Sequence, residues 1–353
     1  MIYHSVFFII VSLILLGDYV KARNRHANIS IYAFILMALL TFFASARNDN
    51  WTDWDLYKVF FIENINANRD FEIGYAYWNY LIHHITDNYN LFLAISYGLL
   101  SYVFFLTSRF FCKSKYLYSF LVFYSLFFLS SGGFRQYHAE HFFILSLYFL
   151  FRKKYYYAAF FFVLGGLFHR TLYLCAPFVF FMAFTFDNKR FLTFLIVGFA
   201  MYYLNVFEII LSLVFPILGL GGLESFLFRV NFYVNAGVEF SLLSIGFFRK
   251  VLFAMFYLYI QKRIEYRDDI FSKLLSLYII GIFVSMVLPG TFGRFANFFF
   301  FIECFLLPRS LLYLNNPLRI RICWIVVVVL YISFAHRLIS FYPELFLPYN
   351  FVC

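Results

Sequence analysis

The sequence predicts an all-α, polytopic integral membrane protein of about 12 transmembrane helices, and three observations carry that reading. Of its 353 residues, 64% are hydrophobic and only 13% are charged, about half the charged share of an average soluble domain. Fifty-seven Phe and 30 Tyr are more than one aqueous core can hide. Apolar runs of roughly 15 to 20 residues recur from end to end, each closed by a short charged segment. They do not alternate polar with apolar as the strands of a membrane barrel do. Helices satisfy their own backbone groups inside lipid, so a helix is the expected form of each run.

Taken in order, candidate spans fall at 2–20, 29–46, 91–111, 116–131, 138–151, 155–168, 171–186, 191–207, 241–260, 271–288, 296–313 and 322–340. Several fall short of the ~20 residues that a full crossing needs; the pair 155–168 and 171–186 reads as tilted, or as meeting below the surface. The first run resembles a signal peptide, but its basic residues follow it and no small-residue cleavage site appears, so it reads as a retained helix. The chain 1–353 thus reads as a single transmembrane domain.

Lys and Arg set the orientation, because short cytoplasmic connections are enriched in them. Lys21, Arg23 and Arg25, Lys113 and Lys115, Arg152 to Lys154, Lys189 and Arg190, Lys262, Arg263 and Arg267, and Arg319 with Arg321 all fall on one side if every span crosses. The opposite, extracytoplasmic side receives two long connections, about 47–90 and 208–240, together with most of the acids. The net charge of +10 therefore reflects topology and gives no reason to invoke nucleic acid. The five cysteines lie far apart and mostly within apolar runs. They read as packing residues, with no metal centre and no cofactor implied.

A few polar residues are left over once the cytoplasmic cations are set aside. Arg135 and His138 stand at the mouth of span 138–151 in "GGFRQYHAEHFF", on one helical face if the helix starts early. His169 and Arg170 occupy an outward turn, Arg294 opens a span in "PGTFGRFANFFFF", and Arg249 with Lys250 interrupts "SLLSIGFFRKVLFAMFYLYI". Ionisable groups at membrane depth usually face a cavity and mark function. The bland readings stay open: arginines snorkelling to lipid phosphate, a histidine satisfied within its turn, and Arg249–Lys250 on a surface segment because the span was misplaced. His138, Glu140 and His141 make only fair metal-ligand geometry. Asp49, Asp53 and Asp55 read either as a cation site or as solvated loop acids. Gly132–Gly133 before Arg135, and Gly293 before Arg294, allow close backbone approach to a ligand. Guanidinium forks match phosphate geometry, so a pyrophosphate at the outer leaflet is the natural target.

These elements, in this order, resemble the EpsG/Wzy-type polysaccharide polymerases of bacteria. "DNWTDWDLYKVFF" is similar to that family's D-x-x-x-Y opening, and "FEIGYAYWNY" to its E-x-G-Y loop. "GGFRQYHAEHFF" matches its R-Q-x-x-A element, "FHRTLYLCAPF" its H-x-[ST] element with a following Pro, and "FGRFANFFFF" its G-R element; "FYPELFLPYNF" resembles its terminal P-Y. Trp51 and Arg170 depart from the usual neighbours of these motifs.

The resemblance covers nearly the whole chain and implies a GT-C-like glycosyltransferase of the bacterial inner membrane with its active site facing the periplasm. Its substrate would be oligosaccharide repeats carried on undecaprenyl pyrophosphate, as in O-antigen or exopolysaccharide synthesis. A flippase and a chain-length regulator join membrane lipids as the implied partners. On that chemistry Arg135 and Arg294, with Arg249 third, neutralise the leaving pyrophosphate. His169 is the expected general base, with Asp53 or Glu72 competing for that role. Glu72, Tyr57 and His138 are expected toward the sugar. The outer aromatics, Trp51, Trp54, Tyr57, Tyr75, Tyr77 and Trp78, either stack on sugar faces or form an interfacial belt. Two alternatives remain. A lipid-linked oligosaccharide flippase would place charges along a mid-membrane passage, often with repeat symmetry. A membrane O-acyltransferase would need its His and Arg on the cytoplasmic side.

Overall fold

The computed structural model describes residues 2–24, 27–48, 54–63, 71–128, 134–204, 206, 244–287, 293–314 and 350–351. The expected span 322–340, the connection 208–240, Asp53 and the Gly132–Gly133 pair lie outside these residues. The chain forms two compact units, Met1–Tyr173 with Leu307–Cys353, and Leu174–Leu306.

In the first unit the helices are α1 (Ile2–Arg23), α2 (Ser30–Ser45), α3 (Trp54–Ile62), α4 (Ile73–His83), α5 (Tyr89–Cys112), α6 (Tyr116–Phe123), α7 (Phe134–Phe151) and α8 (Tyr155–Phe168). A π-helical turn, Tyr124–Phe128, prolongs α6, and a 3-10 stretch, Arg170–Cys175, follows α8. Strands β1 (Arg47–Asn48) and β2 (Asn350–Phe351) form a two-residue antiparallel pair, Arg47 opposite Phe351. The second unit holds α9 (Ala176–Val179), α10 (Asn188–Tyr203), α11 (Ile245–Arg263), α12 (Asp269–Val287), α13 (Gly293–Phe300) and the start of α14 (Glu303–Ser310). Among the described residues four helical stretches are long and apolar enough to cross a membrane: Tyr3–Arg23, Tyr89–Phe128, Asp269–Val287 and Phe295–Tyr313.

Local sequence explains the helix starts. Asn88 accepts from the Asn90 and Leu91 amides, Asp187 from that of Arg190, and Ser244 from that of Phe247. Each side chain thus satisfies donors that the first turn leaves without intrahelical partners. The far end of α5 is closed by a distant residue: the guanidinium of Arg309, 1% exposed, donates to the Phe111 carbonyl.

Four departures from the expected spans have physical causes. The stretch 47–90 is not a plain connection, because α3 and α4 stand in it. Their buried residues, Trp54, Tyr57, Phe60 and Phe61 in α3 and Tyr75, Asn79 and Ile82 in α4, recur at helical spacing and give each a single inward stripe. Helix α7 starts at Phe134, a turn before the expected 138. The span 171–186 is broken into 3-10, α and 3-10 pieces around Pro177, which has no amide to continue the ladder. The span 296–313 breaks between Phe300 and Glu303, and Pro308 lies inside its second helix.

Two glycines stand at close contacts between helices of the first unit. A Cβ on Gly165 of α8 would lie 3.0 Å from Phe142 Cβ and 3.3 Å from the Ala139 carbonyl of α7. A Cβ on Gly74 of α4 would lie 2.8 Å from the Leu167 backbone of α8, which cannot yield as a side-chain tip would. Gly74→Val is therefore expected to destabilise by about 1–3 kcal/mol, the usual cost of overpacking. It should lower the unfolding temperature of the detergent-solubilised protein, whereas Gly98→Ala within α5, whose nearest new neighbour is Thr41 Cγ2 at 3.8 Å, should leave it no lower, since Ala is the better helix former.

Candidate functional site

The Gly74–Leu167 contact places the start of α4 against the end of α8, and the most polar cluster of the first unit forms there. Glu72 is the N-cap residue of α4, with extended backbone (φ −63°, ψ 142°), yet its side chain makes no capping hydrogen bond. The carboxylate turns away instead. One oxygen, Oε2, accepts from Arg135 Nη1 in the first turn of α7. The other, Oε1, lies 3.2 Å from His169 Nδ1. His169 is the C-cap of α8 (φ −152°, ψ 108°); its amide donates to the Gly165 carbonyl. The break between α8 and the 3-10 stretch thus turns the imidazole toward α4.

Arg135 is held on a second edge. Its Nε donates to the Tyr57 hydroxyl at 3.2 Å, and its guanidinium carbon lies 4.8 Å from the centre of the Phe71 ring. Cation–π attraction strengthens where water is scarce, and here Phe71 packs on Tyr57, Phe60 and Tyr75. The Nη2 edge of Arg135 has no protein partner among the described residues. Side-chain exposures are 26% for Arg135, 19% for His169 and 11% for Glu72. The carboxylate therefore lies at the bottom, and the Arg135 guanidinium and the His169 imidazole reach outward.

A carboxylate only accepts hydrogen bonds, so His169 Nδ1 carries the proton in the neutral ring and Nε2 keeps its lone pair. Burial pushes the Glu72 carboxyl up, but the His169 hydrogen bond and the Arg135 charge outweigh it and hold the group below its ordinary 4.5.

Of the residues expected from sequence, the structure thus gathers Arg135, Glu72, His169 and Tyr57. His138 stands apart from them: it is 1% exposed, its Nδ1 bonded to the Phe134 carbonyl at 2.8 Å and its ring stacked on Phe168 at 4.9 Å. Arg249 belongs to the second unit, where its Nη1 lies 3.3 Å from Oε1 of the fully buried Glu303. Arg294 stands in the first turn of α13, and its side chain lies outside the described residues, as does Asp53. Trp54 is buried against Tyr89, Trp78 donates to Ser96, and Tyr77 is exposed, so the outer aromatics among the described residues do not form one surface. Among the described residues no group of three His, Cys, Asp or Glu side chains is arranged to hold a metal ion.

Sequence reasoning missed two things. It offered Glu72 as a sugar contact or a competing base and did not foresee that its two oxygens pair with Arg135 and His169. It passed over Glu303, although a lone carboxylate inside "FFFFIECFLLP" is the kind of charge that needs a buried partner.

The family model of the EpsG family matches residues 30–351. The chain belongs to the EpsG family. That is the family of Wzy/EpsG-type polysaccharide polymerases, and the residues matched include both polar clusters. No curated protein and no solved structure matches the chain. Family membership together with the apolar helices makes this EpsG-family member a membrane-embedded protein and, at the level of the family, a polysaccharide polymerase.

The low carboxyl value of Glu72 has a pH signature. A depressed acid contributes stability in full above its ordinary value and loses it as pH falls through its folded value. Acidification below 4.5 is therefore expected to lower the unfolding temperature of the wild type, and by less in Glu72→Gln, whose amide does not titrate.

Proposed function

We propose that this protein joins oligosaccharide repeat units carried on undecaprenyl pyrophosphate, at the periplasmic face of the bacterial inner membrane. The observation that carries this reading is the placement of a guanidinium and an imidazole on one carboxylate at the ends of three separate helices. Polymer growth of this kind needs two groups in reach of one another: a cation for the leaving pyrophosphate and a base for the incoming hydroxyl. Arg135 and His169 supply that pair.

In the proposed reaction the acceptor sugar hydroxyl attacks the anomeric carbon of the donor. A carbon–oxygen bond forms there while the bond from that carbon to the pyrophosphate oxygen breaks. The hydroxyl proton passes to Nε2 of His169, whose other nitrogen is fixed by Glu72, and undecaprenyl pyrophosphate departs with the bonding electrons. Arg135 meets the developing charge through its unengaged Nη2 edge. Its Glu72 and Tyr57 contacts hold the fork still, so little reorganisation is needed when charge appears. Glu72 serves as a positioning residue, since its two oxygens hold the Arg135 guanidinium and the His169 imidazole in place. Tyr57 does the same for the other edge of Arg135.

Arg135→Ala and His169→Ala are expected to abolish long polysaccharide chains, leaving single repeat units attached to their acceptor and normal amounts of protein in the membrane. Arg135→Lys should recover only a small part of the activity, because an ammonium does not reproduce the fork. Chain-length analysis by gel electrophoresis of the extracted polysaccharide checks this; full-length polymer in both alanine variants overturns the assignment. Lipid-linked units trapped on the cytoplasmic face in cells lacking the protein point instead to a flippase.

A further inference from the structure

Helix α4 carries apolar and aromatic side chains on two faces, and only one of them is packed. Tyr75, Asn79 and Ile82 are buried in the first unit. On the other side Ile73, Tyr77, Tyr80, Leu81 and His84 recur at i, i+4, i+7, i+8 and i+11, a second stripe at helical spacing. All five are exposed, Ile73 at 71% and Tyr77 at 61%, and Ile85 just beyond continues the patch. The helix has 11 residues. At 1.5 Å per residue it is about 16 Å long, half of what a crossing of the ~30 Å hydrocarbon layer needs.

The stripe has a neighbour. Helix α8 packs against α7 at Gly165 and leaves Tyr156, Phe160, Val163 and Leu167 exposed at i, i+4, i+7 and i+11. In a membrane-embedded chain, an apolar helix with such a face turns it to lipid. Leu167, the last of these residues, is the one on which Gly74 packs, and Ile73 stands next to Gly74. The lipid-facing stripe of α8 therefore runs on into the outer stripe of α4.

We propose that the outer face of α4 rests on phospholipid at the boundary between acyl chains and headgroups, so that α4 is an interfacial helix held against one leaflet. Water is the wrong neighbour, because contiguous exposed apolar patches of this kind mark an interaction surface. A saccharide could stack on Tyr77 and Tyr80, whose rings lie 6.3 Å apart and 25° from parallel, but Ile73, Leu81 and Ile85 offer it neither a flat ring nor a hydrogen bond. Lipid suits them all. The aliphatic side chains take the acyl side, and tyrosines, apolar in body and polar at the tip, favour the headgroup level. A polar rim agrees with this: His83 Nε2 and Asp87 Oδ1 pair 3.4 Å apart at the end of α4. Glu72 is the N-cap residue of α4, so a leaflet-bound α4 fixes the height of Glu72 and its partners relative to the membrane. This placement needs only that the chain is membrane-embedded, and it holds whether or not the cluster joins saccharides.

Tryptophan quenching in the full-length protein, reconstituted into phosphatidylcholine vesicles, tests it. Ile73→Trp, Tyr77→Trp and Leu81→Trp each add one indole to the stripe, and Asp87→Trp adds one at the polar rim. The wild type, with its four tryptophans, supplies the background. On the stripe the added emission is expected to be mostly lost to lipid brominated near the headgroup end of its acyl chains, and to resist aqueous acrylamide. At position 87 acrylamide should remove it and brominated lipid should not. Tyr77→Trp exchanges one exposed aromatic for another and carries the test if either of the other stripe variants fails to fold. Acrylamide quenching on the stripe as strong as at position 87 overturns the proposal. Protection of the stripe from both quenchers overturns it too, since a second copy or a saccharide then covers the face.

Discussion

A charge in apolar surroundings must find a partner, and in the first unit that requirement falls on Glu72. Its carboxylate has little contact with water and two hydrogen-bonding neighbours, the Arg135 guanidinium and the His169 imidazole, so each neighbour is stabilised by it and it by them. Truncating one member of such a group leaves the others with a desolvation cost that nothing offsets, which is generally worse than never having buried them. The same constraint organises the second unit around Glu303. In both places the carboxylate is less exposed than its arginine partner. A site arranged this way presents positive charge outward while remaining compact before any anion arrives.

The chemistry sits where helices end. Glu72 precedes the first turn of α4, Arg135 lies in the first turn of α7 and His169 follows the last turn of α8. Within a helix the backbone is committed to its own ladder and side chains point only radially. At an end the chain is extended, and a residue can be aimed along the axis of its neighbour. Bringing three ends together requires close packing of the helices that carry them, and Gly74 and Gly165 provide it by having no side chain at the points of nearest approach. The aromatic wall of Tyr57, Phe71 and Tyr75 then limits water around the guanidinium.

Much of this was legible in the sequence because hydropathy and helix periodicity are local signals. The runs at 29–46, 91–111 and 155–168 agree with α2, α5 and α8 to within two residues at each end. The candidates Arg135 and His169 stood out because isolated charge at the edge of an apolar run is rare. What could not be read was the pairing. Glu72 precedes Arg135 by 63 residues and His169 by 97, and no local pattern encodes which charge a distant helix end will meet. The small helices α3 and α4 were hidden by polar neighbours that made their segment look like a loop, although its aromatic stripe was in view. The break around Pro177 follows from the absent amide, yet an apolar run gives no sign of whether it will kink or stop.

The closure of α5 by Arg309 has a bearing on how the protein is made. The Phe111 carbonyl belongs to a helix formed early in synthesis, and the guanidinium that satisfies it emerges only after the entire second unit has been translated. A chain that stops short of residue 309 lacks this donor to the end of α5.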